Sequence, residues 1–209
     1  MDLAHPLRSL VPTLDGPVLE VLAGTTRPLS GRQVFVLART GSPRGIRLVL
    51  ARLVAQGIVL AEEHPGATLY TANRKHLAWP SIEALVGLRS SLLDQIRARI
   101  KDWRVAPVHA SLFGSTSRGE ADEESDLDLL LVRPDECDEE EWARQTEALR
   151  DWVRESTGNR CQTFEVDVSR FAEHVAARDP LVDAWRRDGV QLAGVSIEAL
   201  VHSSSSGDP

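Results

Sequence analysis

Two short stretches decide the fold of the C-terminal half: residues 113–119 read FGSTSRG, and residues 125–130 read SDLDLL. The first stretch ends the β-like run Val108–Phe113, and in the second Asp126 and Asp128 open a hydrophobic strand. Since successive side chains of a strand point to opposite faces, these aspartates are predicted to share one face, with α-carbons about 6.5–7 Å apart. The spacing therefore places two carboxylates side by side at the start of a strand.

Two carboxylates on one face repel each other unless a cation lies between them. Mg²⁺ favours a few carboxylate oxygens together with phosphate oxygens and water. In phosphoryl chemistry, a pair of ions about 3.5–4 Å apart activates the nucleophile and neutralises charge on the leaving group. Asp126 and Asp128 are therefore predicted to be catalytic metal ligands, with two Mg²⁺ ions expected.

The glycine-serine pair upstream supplies the second half of the pattern. A strand that ends in Gly114-Ser115 at a helix start offers backbone N–H groups and a hydroxyl to a phosphate, and the glycine permits close approach. Arg118 would add positive charge one turn later, and ten residues separate Ser115 from Asp126. The pattern predicts a site for a magnesium–nucleoside triphosphate, in which Gly114, Ser115 and Arg118 hold the phosphates.

This combination of Gly-Ser, ten intervening residues and Asp-x-Asp resembles the signature of the DNA polymerase beta-like nucleotidyltransferase superfamily, and more narrowly its minimal nucleotidyltransferases. Ser117 departs from the alanine that is frequent there. The resemblance covers residues 105–195 and implies a mixed sheet flanked by helices. It also implies transfer of a nucleoside monophosphate from an NTP, with release of pyrophosphate, to an acceptor on a protein, an RNA or a small molecule.

The same resemblance implies a third carboxylate on a nearby strand, and the predicted strand Cys161–Val168 offers Glu165 and Asp167. Both are expected on its polar face, because Phe164 and Val166 take the other face. We favour Glu165, which lies inside the strand, as metal ligand or general base. Asp167 lies near the exit of the strand, where it is either the alternative third carboxylate or the cap of the next helix.

The first half of the chain has the opposite charge balance. Residues 1–105 hold 14 Lys/Arg against 8 Asp/Glu, whereas residues 106–209 hold 10 against 23, which together give the net charge of −7. A basic module suits a polyanion such as DNA, and concentrated carboxylates suit metal ions or a cationic surface. The two halves are therefore expected to bind different partners.

Turn signals in the basic half separate three amphipathic helices and then two strands, at residues 13–23, 30–38, 42–56, 58–62 and 68–72. This order of elements resembles a winged helix-turn-helix domain over about residues 10–78, and we assign residues 1–79 to it. The resemblance implies that the third helix enters the major groove of DNA while the hairpin touches the backbone.

The third helix carries a basic face, formed by Arg44, Arg47 and Arg52, on the side opposite Ile46 and Leu50. These three arginines are the candidate DNA-binding residues. Because the same fold also mediates protein contacts or dimerisation, that role is the alternative.

Residues 80–104 are predicted to form one connecting helix, because apolar residues recur there at three- and four-residue spacing. Such a helix would act as a rigid strut or as the surface of a homodimer. The nucleotidyltransferase domain is assigned to residues 105–195, and residues 196–209 form a C-terminal segment whose tail from Ser203 is expected to be disordered. The predicted fold class is α+β.

Composition excludes several classes of protein. No apolar run approaches the roughly 20 residues of a membrane span, so no membrane partner is expected. Met1 is followed by no apolar signal core, and Cys137 and Cys161 form neither a disulfide framework nor a zinc site, which fits the cytoplasm.

The leading hypothesis is a Mg-dependent nucleotidyltransferase with a DNA-binding N-terminal module. The alternative is a winged-helix transcription regulator, or a toxin–antitoxin component, whose nucleotidyltransferase fold senses nucleotide or binds a partner protein.

Overall fold

The computed structural model describes residues 1–118 and 125–205, and the chain divides into two compact units. One unit is His5–Arg89, and the other combines Met1–Ala4 with Ser90–Pro209. Across the described ranges, no helix has both the length and the apolar character needed to cross a membrane.

The helices are, in chain order, α1 Pro6–Leu10, α2 Asp15–Ala23, α3 Gly31–Ala38, α4 Pro43–Ala55, α5 Trp79–Val86, α6 Leu88–Lys101, α7 Gly114–Arg118, α8 Glu139–Thr157, α9 Val168–Ala176, α10 Pro180–Asp188 and α11 Ile197–Ser205. The strands are β1 Leu29–Ser30, β2 Val59–His64, β3 Ala67–Ala72, β4 His109–Phe113, β5 Leu127–Arg133, β6 Cys161–Asp167 and β7 Val190–Gly194.

The His5–Arg89 unit packs helices α2, α3 and α4 around one core together with an antiparallel sheet of order β1-β3-β2. Side-chain caps begin two of these helices: Ser30 forms a capping box with Gln33, and the Ser42 hydroxyl accepts a hydrogen bond from the N–H of Gly45. The helices and strands predicted between residues 13 and 72 lie within a few residues of the observed ones, whereas helix α1 and the short strand β1 were not predicted.

The helix predicted over residues 80–104 is interrupted. Gly87 ends α5, with its N–H donated to the carbonyl of Glu83, and α6 begins at the next residue. Trp79 and Ile82 of α5 are buried in the core of the His5–Arg89 unit, whereas the apolar residues of α6 are buried in the core of the other unit. The apolar spacing continues across the break, so the sequence pattern alone did not reveal it.

The second unit contains a four-stranded sheet of order β6-β5-β4-β7. Strand β5 pairs with β4 antiparallel and with β6 parallel, so the sheet is mixed, as the resemblance implied. One face, with Leu127, Leu129 and Leu131, packs against α6 and α8. The other face, with Leu130 and Val132, packs against α9, α10 and α11. Helices therefore cover both faces.

The C-terminal segment corrects one expectation. Residues from Ser203 onward were expected to be disordered, but Ser203 lies in α11, which buries Leu200 against the second core. The remaining residues, 206–209, lie outside the described residues.

Candidate functional site

Gly114 joins the two halves of the predicted motif. Strand β4 ends at Phe113, which is the register partner of Asp128 on β5. Gly114 follows with φ of +77°, a conformation that favours glycine. A Cβ built on Gly114 would collide with a carboxylate oxygen of Asp128. Both the backbone conformation and the close approach therefore require glycine, and the Gly-Ser turn lies directly against the Asp-x-Asp strand.

Two hydroxyl groups of the short helix α7 hold this arrangement. The Thr116 hydroxyl donates to the backbone carbonyl of Asp126 at 2.9 Å, and the Ser117 hydroxyl donates to the carbonyl of Gly114 at 2.7 Å. Thr116 is almost fully buried, whereas Ser115 is half-buried at the start of the helix. Thr116 was not singled out from the sequence, because a threonine inside a motif has no spacing that marks it.

The electrostatics of the two aspartates favour a bound cation. Burial raises the pKa of Asp128, and the nearby charge of Asp126 raises it further. Both groups offer carboxylate oxygens, which are the ligands that Mg²⁺ prefers. Among the described residues, no group of three or more His, Cys, Asp or Glu side chains could hold a metal ion. The residues present fit Mg²⁺ with two protein carboxylates.

Glu165 does not join these aspartates. Its register partner on the parallel strand β5 is Leu131, whose face packs against α6 and α8. There the Trp142 indole N–H donates to the Glu165 carboxylate at 2.7 Å, and the Thr163 hydroxyl donates to it at 2.7 Å. The prediction that Glu165 shares a face with Asp128 is therefore wrong. The face of β6 that carries Glu165 continues the face of β5 that carries Leu131, whereas Asp128 lies on the other face of β5.

The residue of β6 that reaches the aspartates is Gln162. It is the register partner of Asp128, and its side-chain amide donates a hydrogen bond to the carboxylate of Asp126. Asp167 takes the second role considered for it, since its carboxylate accepts a hydrogen bond from the N–H of Arg170 at 2.8 Å and caps α9. Gln162 was missed because only carboxylates were sought on this strand.

Residues 93–183 match the family model described as the nucleotidyltransferase domain, a span that includes the Gly-Ser turn, both aspartates and β6. The match places this part of the chain in an enzyme class, as the sequence motif indicated.

Solved structures give weaker likenesses to the chain. A toxin–antitoxin crystal structure with AMP-PNP is 20% identical, covers 55% of this chain and 84% of its own, and has a TM-score of 0.37. The toxin–antitoxin structure MntA-HepT is 17% identical, with coverages of 56% and 84% and a TM-score of 0.35. Because these scores lie below 0.5, the likenesses decide nothing about this chain. No curated protein matches the sequence at a significant level.

Arg118 and the arginines of α4 are the remaining predicted site residues. In the C-terminal unit, the backbone of Arg118 ends α7, and its side chain lies outside the described residues. In the other unit, Arg44 and Arg47 are exposed on α4. Arg52 instead forms an ion pair with Asp15 of the same unit.

Proposed function

We propose that the C-terminal unit is a magnesium-dependent nucleotidyltransferase that moves a nucleoside monophosphate from an NTP to an acceptor hydroxyl. The acceptor oxygen forms a bond to the α-phosphorus, the bond between that phosphorus and pyrophosphate breaks, and the hydroxyl proton is released. One observation carries the proposal: a side chain at Gly114 would collide with Asp128. This close approach supports a single site that combines the Gly114-Ser115 turn with the carboxylates.

Each residue of this site has a proposed role. Asp126 and Asp128 would hold Mg²⁺, and Ser115 with the neighbouring backbone would hold the triphosphate. The bound ion would neutralise charge that develops on the leaving pyrophosphate. Gln162 orients the carboxylate of Asp126 through its hydrogen bond. The family match over residues 93–183 supports the reaction class.

Label transfer tests this function. The purified chain is incubated with each α-labelled NTP, Mg²⁺ and a cell lysate, and the labelled product is identified. We expect label on an acceptor. The rate of label transfer should be at least about 100-fold lower in the Asp126→Asn/Asp128→Asn variant. Glu165→Gln serves as the matched control, since it removes one carboxylate charge on the opposite face of the sheet. Equal transfer by the aspartate variant and the parent protein would refute the site.

We further propose that the His5–Arg89 unit is a winged helix-turn-helix module that binds DNA through α4. Three helices followed by an antiparallel hairpin support this assignment, with β1 completing the sheet. Arg44 and Arg47 are exposed on α4, whereas Ile46 and Leu50 of the same helix are buried in the core. This orientation leaves a basic surface for phosphate contacts.

Gel-shift titration at several salt concentrations tests DNA binding. We expect Arg44→Ala/Arg47→Ala to weaken binding to all sequences and to reduce the slope of log K against log salt by about 0.9 for each DNA phosphate that is no longer neutralised. Arg186→Ala is the control, because Arg186 lies in the other unit and pairs with Glu198. Failure of the parent protein to bind DNA at low salt would contradict the assignment.

A further inference from the structure

A large apolar side chain lies on the exposed face of α4. Leu48 is 64% exposed, and it is the sixth residue of this helix, which begins at Pro43. Two residues, or about 200° of helix rotation, separate Leu48 from both Ile46 and Leu50. Those two side chains are fully buried in the core of the His5–Arg89 unit. Leu48 therefore projects from the side of α4 that is turned away from this core.

The exposed neighbours of Leu48 on the helix are basic or small. Arg47 precedes it directly, while Arg44 lies one turn before it and Ala51 one turn after it. All three neighbours are exposed. Because alanine is small, Ala51 leaves room for a surface that approaches Leu48 closely. The outer face of α4 thus combines arginines with one large, mostly exposed apolar side chain.

Arginine and leucine suit different parts of a DNA duplex. Guanidinium groups bind phosphate oxygens, which are the same at every base pair and carry no sequence information directly. A leucine side chain forms no hydrogen bond and gains nothing from a phosphate. On the base edges of the major groove, the apolar group is the C5-methyl group of thymine. Thymine is therefore the base of unmodified DNA that offers Leu48 an apolar contact.

We propose that Leu48 is a specificity-determining residue that contacts a thymine methyl group in the major groove. The inference rests on the proposed binding of DNA through α4, and it adds a sequence preference to the phosphate contacts of Arg44 and Arg47. Leu48 lies in the first half of α4, and the N-terminal residues of a recognition helix are those that contact base edges.

Charge favours DNA over a second copy of this unit as the surface that covers Leu48. Residues 1–105 hold 14 Lys/Arg against 8 Asp/Glu, so a polyanion is attracted. A second copy that paired through the same face of α4 would bring its own Arg44 and Arg47 against those of the first. Contact with DNA neutralises these arginines, whereas contact between two copies opposes like charges.

Deoxyuridine substitution tests the contact, because uracil lacks only the C5-methyl group of thymine. The full chain first selects duplexes from a randomised library, and the enriched site is then synthesised with deoxyuridine in place of each thymine in turn. Gel-shift titration measures the affinity of every duplex. We expect at least one replacement to weaken binding by the parent protein about fourfold, as the loss of one methyl-sized apolar contact predicts.

Leu48→Ala removes the apolar side chain and leaves both arginines in place. This variant should bind the thymine and deoxyuridine duplexes equally well. It should keep the salt dependence of the parent protein, which reports on phosphate contacts. Leu77→Ala is the matched control, since Leu77 is 94% exposed in the same unit but lies outside α4, and this variant should retain the preference for thymine. Melting temperatures show that each variant is folded.

The negative outcomes have different meanings. DNA binding with no enriched sequence, or with no effect of deoxyuridine, would overturn the thymine contact and leave DNA binding intact. A thymine preference that persists in Leu48→Ala would assign the contact to another residue. Sedimentation that shows a dimer of the parent protein and a monomer of Leu48→Ala would make Leu48 a protein contact instead. If the parent protein binds no duplex at low salt, the proposed DNA-binding function fails together with this inference.

Discussion

The environment of the Asp128 side chain disfavours its charged form. Burial raises its pKa, and the charge of Asp126 adds to the rise. A carboxyl group whose pKa is higher in the folded protein than in the unfolded chain binds protons more tightly when folded. The free energy of unfolding therefore falls as pH rises from about 4 through the raised pKa of Asp128. At neutral pH the charged carboxylate destabilises the folded protein to its full extent.

The first prediction concerns this cost. In the presence of a chelator at pH 7, Asp128→Asn should melt about 1–2 °C above the parent protein, a small rise because the carboxylate retains some contact with solvent. The difference should vanish below about pH 4, where Asp128 is protonated in both states. Thermal melts across this pH range measure it. A variant that melts below the parent protein at pH 7 would show that Asp128 is stabilised by contacts other than a cation.

Gln162 gives the second prediction at the residue scale. Gln162→Glu places a third negative charge beside Asp126 and Asp128, so it should destabilise the metal-free protein and tighten Mg²⁺ binding by about fivefold or more. The rise in melting temperature with Mg²⁺ concentration measures both effects. Glu165→Gln is the matched reverse change on the other face of the sheet, and its Mg²⁺ dependence should equal that of the parent protein. Equal responses of the two variants would contradict the assignment of faces.

At the scale of elements, the pairing of β5 with β6 decides which side chains can meet. Strand parity correctly predicted that Asp126 and Asp128 share a face, and that Glu165 and Phe164 lie on opposite faces of β6. Parity cannot say which face of one strand continues which face of the next. That choice depends on the register, which aligns Asp128 with Gln162, and the register follows from packing on both faces.

The third prediction tests the role of Glu165 in packing between elements. Glu165→Leu leaves the indole N–H of Trp142 without its acceptor, so it should cost about 1–3 kcal/mol of unfolding free energy. Nucleotide binding should stay within about twofold of the parent protein, because the site on the other face is unchanged. Urea denaturation with a parallel nucleotide titration measures both. A large loss of nucleotide binding with unchanged stability would show that Glu165 is part of the nucleotide site.

Most elements were predictable because their signals are local. Ser42-Pro43 begins α4, as cap chemistry predicts, and the hydrophobic run after Asp128 gives β5. The break at Gly87 and helix α11 were not predicted, because each depends on which core the neighbouring apolar residues enter. Gly114 and Asp128 were predicted from motif spacing, whereas the contact between them required the register of β4 with β5.

At the scale of the whole molecule, the first residues of the chain belong to the C-terminal unit. Leu3 is fully buried in the core formed by α6, α8 and the sheet. The amino group of Met1 donates to the Asn159 side-chain oxygen at 2.9 Å, and the Asn159 amide donates back to the Met1 carbonyl at 3.1 Å. Asn159 also donates to the carbonyl of Ser125, just before Asp126 and Asp128.

The fourth prediction follows from this packing. Leu3→Ala should cost about 2–5 kcal/mol of unfolding free energy, because it removes a fully buried side chain and leaves a cavity. Leu77→Ala is the control, since Leu77 is 94% exposed and its removal should change stability by less than about 0.5 kcal/mol. Denaturation of both variants measures the contrast. Similar small losses in the two variants would show that Leu3 is not part of the core in solution.

The packing of Leu3 also changes how the protein can be divided. The chain starts in one unit, leaves it after Ala4 and returns at Ser90, so the N-terminal unit is an insertion rather than an appendage. A fragment cut at the start of the matched range, residue 93, would lack the leucine that closes its own hydrophobic core. To isolate an intact catalytic unit, the gene should be rebuilt with a short linker between residues 4 and 90.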